Sequence, residues 1–203
     1  MSADSILIQQ MIAAAPAPIG VYAKTIELES REYTIDESIK IDKPVYIKGN
    51  NTAIKVTAPD VTAFEVEQAA TGTRFEHLYF VGYGGSNFPE QGGIGLDVRA
   101  GRVIIDNCYF SYWRIALFLR SLSNDGKQTI GNADGFMVRD CEFTTSIYGL
   151  WALGYDAQTG TVMNCRFTNC RKGITEQSAF GNHYISNYVI SCPNSDDPKA
   201  FVL

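Results

Sequence analysis

The sequence predicts an all-β protein: a right-handed parallel β-helix, that is a solenoid, with a short N-terminal capping α-helix. Three observations carry this. A motif built on an aliphatic residue, an Asn or Asp, a Cys and a Phe returns as VIIDNCYF (103–110), FMVRDCEF (136–143) and GTVMNCRF (160–167). A small residue and then an aliphatic one follow the three phenylalanines at a fixed distance, as Ala116-Leu117, Gly149-Leu150 and Gly173-Ile174. Upstream, runs such as TIELESREYTI and SIKIDKPVYIKG alternate apolar and polar residues and are punctuated by Pro44, Gly49-Asn50 and Pro59-Asp60.

Residues 1–20 read as a capping helix and turn. Asp4 to Ala15 forms a short amphipathic helix with Ser2 or Asp4 near its cap, stopped by Pro16 and Pro18. A stack of short strands leaves an open apolar end, and the helix is assigned to cover it.

Residues 21–192 carry the repeat. Its anchors are Phe80, Phe110, Phe143, Phe167 and Ile190, spaced 30, 33, 24 and 23 residues apart. Five positions before each anchor stands an apolar residue: Phe75, Ile105, Val138, Val162 and Ile185. Three before stand His77 and the turn ladder Asn107, Asp140, Asn164 and Asn187; two before stand Leu78, the core ladder Cys108, Cys141 and Cys165, and Tyr188. Strand alternation explains the order. An inward aliphatic residue ends one strand, and two residues turn the chain. The second of these is Asn or Asp because such side chains tolerate a left-handed backbone. Cys and Phe then both point inward from the next strand, and the Gly or Ala introduces a third. Three short parallel strands per turn, at roughly 4.8 Å per turn, make about seven turns and a body of some 35 Å. Residues 193–203 read as a C-terminal tail, with Asp196-Asp197 in a solvated turn.

The composition bounds the function. Hydrophobic residues make up 45% and charged ones 19%, which fits a globular chain. A net charge of −5 and a pI near 5.0 exclude the basic stripe of a nucleic-acid grip, and the scattered Lys and Arg exclude an anionic membrane surface. No run approaches the roughly 18–20 apolar residues of a membrane span. Asp4, Gln9 and Gln10 break up any signal peptide, so synthesis in a cytoplasm is expected. The five cysteines then read as reduced thiols packed as small hydrophobes. No CxxC pair or His/Cys cluster offers a metal site, and no cofactor is expected.

Two outward rows are candidates for a site. The residues between Cys and Phe read Tyr79, Tyr109, Glu142, Arg166 and Val189, where Glu142 and Arg166 make an ion pair worth under about 1 kcal/mol. The third strands present Asp97, Phe118, Trp151 and Thr175, with Trp113, Tyr112 and Tyr148 in adjoining bends. Phe118, Trp151, Trp113, Tyr148 and Tyr112 therefore form a predicted exposed aromatic surface, suited to a subunit seam or to carbohydrate stacking.

The opening DSILIQQMIAAAPAPIGVYAKTIELESREYTI, with Asp4, Ile8 to Ala15, Pro18 to Gly20, Thr25 to Leu28 and Tyr33-Thr34-Ile35, resembles that of the pectate-lyase-like β-helix superfamily, above all its phage tailspikes and virion proteins. The resemblance implies a homotrimer and a place on the virion. The activity signatures of that superfamily (Asn-Thr-Asp, a paired Asp-Asp in the middle turns, Gly-His-Gly, Arg-Ile-Lys, Arg-x-Pro-x-x-Arg) are absent, so no catalytic residue is assigned. The expected function is a non-enzymatic bacteriophage capsid decoration or cement protein. Its partners would be copies of itself and the major capsid protein or another virion protein. The alternative is a tailspike-like protein that binds or cleaves a polysaccharide as lyase or hydrolase.

Overall fold

A computed structural model describes residues 1–16, 23–84, 92–191 and 199–202. Pro18, Gly20, most of the insertion after Phe80, and Asp196-Asp197 lie outside the described residues. Helix α1 (Ala3–Ala14) comes first, followed by β1 (Lys24–Glu27), β2 (Glu32–Ile35), β3 (Ile39–Ile41), β4 (Val45–Val56) and β5 (Phe64–Val66). A 3-10 turn at Gln68–Ala70 leads to β6 (Arg74–Val81), β7 (Ile94–Val98), β8 (Ile104–Asp106), β9 (Tyr109–Ser111) and β10 (Ile115–Arg120). The chain continues through β11 (Met137–Arg139), β12 (Glu142–Thr144), β13 (Tyr148–Leu153), β14 (Thr161–Met163) and β15 (Arg166–Cys170). It ends with β16 (Lys172–Gln177), β17 (His183–Ile185), β18 (Tyr188–Ser191) and β19 (Lys199–Val202).

Among the described residues these strands form two parallel sheets, one of 12 strands and one of 7. This corrects the expected right-handed parallel β-helix, which assumed three separate strand faces. The long strands β4 and β6 run unbroken through the bend that the repeat places in mid-strand. Two of the expected faces therefore belong to one sheet, ordered β17-β14-β11-β8-β6-β9-β12-β15-β18 with β1, β2 and β4 attached. The smaller sheet runs β19-β16-β13-β10-β7-β5-β3. The C-terminal segment read as a tail contributes its edge strand, β19, which pairs with β16.

The bend has a local cause. His77, Asn107, Asp140 and Asn164 have φ between 50° and 55°, in the left-handed region. One such residue breaks the two-residue alternation, so two successive side chains face outward. In β6, Phe75, Leu78 and Phe80 are buried while Glu76 and His77 point away from the core. The last repeat departs from the sequence alignment. Its left-handed residue is Ser186, at φ 53°, so Val189 rather than Ile190 pairs with Phe167, and Tyr184 rather than Ile185 pairs with Val162. Asn187 instead acts through its side chain. Its Oδ1 accepts from the Cys165 N–H at 2.9 Å and its Nδ2 donates to the Val162 carbonyl at 2.9 Å.

One continuous core lies between the sheets. Phe80, Phe110, Phe143 and Phe167 stack in register along it, with ring centroids 4.7, 4.9 and 4.6 Å apart and planes within 9° of parallel. The smaller sheet makes room for these rings with small residues. A Cβ at Gly149 would come within 2.7 Å of Cδ1 of Phe167 and 2.6 Å of the Gly173 carbonyl oxygen. Helix α1 closes one end. Ser2 Oγ accepts from the Ser5 N–H at 3.1 Å, the Asp4 carboxylate takes Arg31 at 2.8 Å and the Thr34 N–H at 2.9 Å, and Ile8 and Ile12 are fully buried.

Candidate functional site: an acidic groove along the bend

The outward side of the bend is a groove of about 1020 Å³ on the larger sheet. Its walls come from stacked repeats, because the left-handed residues turn successive strands at the same height. The bend itself supplies Asn51, His77, Asn107 and Asp140, and the flanking strands supply Glu27, Lys48, Tyr79, Tyr109 and Glu142, with Glu29 just beyond β1. Four carboxylates thus face one lysine and a histidine, an acidic balance that favours a cationic ligand.

Along the floor, β-pairing sets one outward row in register: Ala53, Tyr79, Tyr109, Glu142, Arg166 and Tyr188. The Tyr79 and Tyr109 rings lie 5.9 Å apart at 45°, and Tyr79 is 44% exposed. Burial pushes the Tyr109 hydroxyl pKa up, and the neighbouring Glu142 charge adds to it. Arg166 Nε stands 4.0 Å from a Glu142 carboxylate oxygen, both side chains being well exposed. Beside the groove, Glu76 accepts from the Tyr46 hydroxyl and from Arg74 at 2.6 Å; burial first and this contact second raise Tyr46 to about 12.

The aromatic surface expected on the smaller sheet is not an exposed platform. Phe118 is 1% exposed, stacked on Trp151 at 5.0 Å with the Arg120 guanidinium 4.8 Å above its ring. Tyr148 stacks on Trp151 at 4.7 Å, and these residues join Ile94, Ile115, Leu153 and Leu122 in a second apolar cluster outside the sheet. Trp113 is buried in the main core, where its Nε1 donates to the Phe80 carbonyl at 3.1 Å. Tyr112 is half-buried at a left-handed position, φ 65°. Asp97, read as a lone carboxylate, is 2% exposed and locked by Arg120, which donates to both of its oxygens at 2.7 Å, and by Arg99 at 3.1 Å.

Cys108, Cys141 and Cys165 are buried free thiols. Each Sγ donates to the carbonyl two residues before it, at 3.3, 3.1 and 3.2 Å, which pins the bend from inside. Burial drives the Cys141 pKa well above its ordinary value; for Cys165 the contact with Cys141 leads and burial adds to it. Both thiols are held in the unreactive form. Among the described residues no group of three or more His, Cys, Asp and Glu side chains is placed to hold a metal ion, and no helix is long and apolar enough to cross a membrane.

The sequence offers one wall of this groove and not the other. The row Tyr79, Tyr109, Glu142 was legible from the period, but Glu27, Glu29 and Lys48 reach it from strands whose register the repeat did not cover.

Fold and site together define a parallel-sheet protein with an acidic, tyrosine-floored groove along the bend of its larger sheet. The family model of the adenovirus EB1 55K protein / large t-antigen matches residues 16–192, and the chain belongs to that family. No curated protein matches the sequence. Membership corrects the resemblance to pectate-lyase-like phage proteins, and with it the expected roles of capsid decoration, cement and tailspike. The physical reason is that Cys, Phe and small residues at fixed spacing report the packing of stacked parallel strands, which many lineages share. Of the residues that carried that resemblance, Asp4 and Ile8 to Ala15 lie before the matched segment, and Pro18 to Gly20, Thr25 to Leu28 and Tyr33-Thr34-Ile35 lie inside it.

Proposed function

We propose that the protein is a non-catalytic docking module whose groove holds an extended, cationic segment of a partner protein. The observation that carries this is the groove itself: Glu27, Glu29, Asp140 and Glu142 against Lys48, over a floor of paired tyrosine rings. Its walls are built from stacked, hydrogen-bonded strands, so the site is preformed and little ordering cost falls on the protein when a ligand enters. A linear row of acidic and aromatic groups suits a strand-like ligand, whose side chains alternate along one face.

The test is calorimetric titration with short basic, neutral and acidic peptides at two salt concentrations. Binding of the basic peptide alone, weakening as salt rises, is the expected result. Glu142→Gln should weaken it by about three- to tenfold, the loss of one charge-assisted contact at a partly exposed site. Equal binding of acidic and basic peptides would remove the reading.

A further inference from the structure

The chain repeatedly solves one local problem in one way: an arginine is held between a tyrosine face and a carboxylate. Arg31 lies 3.6 Å over the Tyr33 ring and 2.8 Å from Asp4. Arg74 lies 4.9 Å over the Tyr46 ring and 2.6 Å from Glu76. Arg166 lies 5.5 Å over the Tyr188 ring and 4.0 Å from Glu142. Glu142 has a second tyrosine neighbour. On its other side Tyr109 stands directly in register, and Tyr79 follows one strand further on. Among the described residues no arginine or lysine lies over either ring. This half of the arrangement opens into the groove with tyrosine and carboxylate in place and the cation missing.

We infer that the Tyr79–Tyr109–Glu142 step is an arginine-selective subsite, which takes a guanidinium from the docked segment in the position that Arg166 occupies on the opposite side of Glu142. The inference rests on the groove reading above. It goes further in naming the side chain recognised and an internal competitor. A guanidinium can lie flat on a phenol ring while its edge N–H groups reach the carboxylate; a lysine ammonium is a compact, strongly hydrated point charge and does one or the other. The raised Tyr109 pKa agrees with this placement, since burial of the hydroxyl lifts it first and the Glu142 charge beside it adds to the shift. Because Arg166 draws on the same carboxylate, its removal should free Glu142 for the incoming group.

The experiment compares two capped peptides, Gly-Arg-Gly-Arg-Gly-Arg-Gly and its lysine counterpart, by calorimetry on the intact chain. The arginine peptide should bind roughly three- to tenfold more tightly. Tyr109→Leu should abolish that preference, Tyr109→Phe should keep it, and Arg166→Gln should tighten arginine binding by about two- to threefold. Thermal melts matching the parent chain establish that each variant is folded. Equal affinity for both peptides overturns the subsite and leaves the groove standing, whereas no binding of either overturns both. Weaker arginine binding in Arg166→Gln overturns the competitor role and the register on which the subsite is built.

Discussion

At the residue scale, the buried charges of the smaller sheet carry the sharpest consequence. Asp97 neutralises Arg120 and Arg99 in a place with almost no solvent. Asp97→Ala would leave the Arg120 guanidinium beside apolar surface without its anion, while Arg99 keeps Glu65 at 3.0 Å, and should cost about 3–5 kcal/mol by chemical denaturation. The acid side of the stability profile follows from Asp4 and Asp106. Hydrogen bonding from Arg31 holds Asp4 below the usual carboxylate range. For Asp106, burial pushes upward, but Arg139 and Arg74 outweigh it and the net direction is down. Both groups have folded pKa values below their unfolded ones, so the unfolded chain takes up protons first. Their stabilisation is full above about pH 4 and is lost as pH falls through the depressed values. Tyr46 works in the opposite direction. Its folded pKa near 12 exceeds the unfolded value of 10.0, so its contribution is full below pH 10 and declines as pH rises through 12. Denaturant midpoints measured across both ranges should fall at each end, and Tyr46→Phe should flatten the alkaline limb.

At the scale of elements, the repeat succeeds through a division of labour between its strands. The strand after the bend supplies the large ring, and the facing strand of the smaller sheet supplies Gly or Ala at the matching height. Gly149→Ala would drive a methyl group into Phe167 and the Gly173 carbonyl, and should destabilise by about 1–3 kcal/mol. Phe143→Ala would open a gap between two stacked neighbours and should cost about 3–5 kcal/mol. The helix obeys a different rule. Ser2 caps it, Asp4 ties its first turn to Arg31 and Thr34, and Ile8 and Ile12 enter the core beneath. The last repeat is the weakest element: Tyr184 and Val189 replace a fully buried aliphatic residue and a stacked ring, and Ile185, Tyr188 and Ile190 are exposed. Amide exchange should therefore begin in β17 and β18 and reach β8, β9 and β10 last.

At the scale of the whole molecule, the groove is a product of stacking rather than of any one loop. Carboxylates separated by more than a hundred residues, from Glu27 to Glu142, line one groove because each repeat adds one strand at the same bend. The register of the middle repeats was legible in the sequence: Phe80, Phe110, Phe143 and Phe167 pair as their alignment requires. The anchor row failed at Ile190, because Asn187 and Ser186 are both plausible turn residues and only the side-chain bonds of Asn187 decide between them. Phe118 and Trp113 are buried rather than exposed for a related reason. Alternation says which way a side chain leaves its strand, but not what lies there to cover it. Arg120, Trp151 and Leu122 cover Phe118, and Trp113 turns inward to reach the Phe80 carbonyl.

The parallel stacking of the middle repeats, the Cys and Phe rows of the core and the left-handed turns at Asn107, Asp140 and Asn164 are written in the amino-acid order. Each of these follows from residue size, backbone tolerance and two-residue alternation, which act within a few positions along the chain. The merging of the strands into two sheets rather than the three faces of a β-helix, the burial of Phe118 and Trp113, and the shared groove of distant carboxylates and two tyrosines belong to the tertiary structure alone. Those outcomes depend on strands that continue through a bend and on side chains meeting from different repeats. Such long-range packing leaves no periodic mark in the sequence.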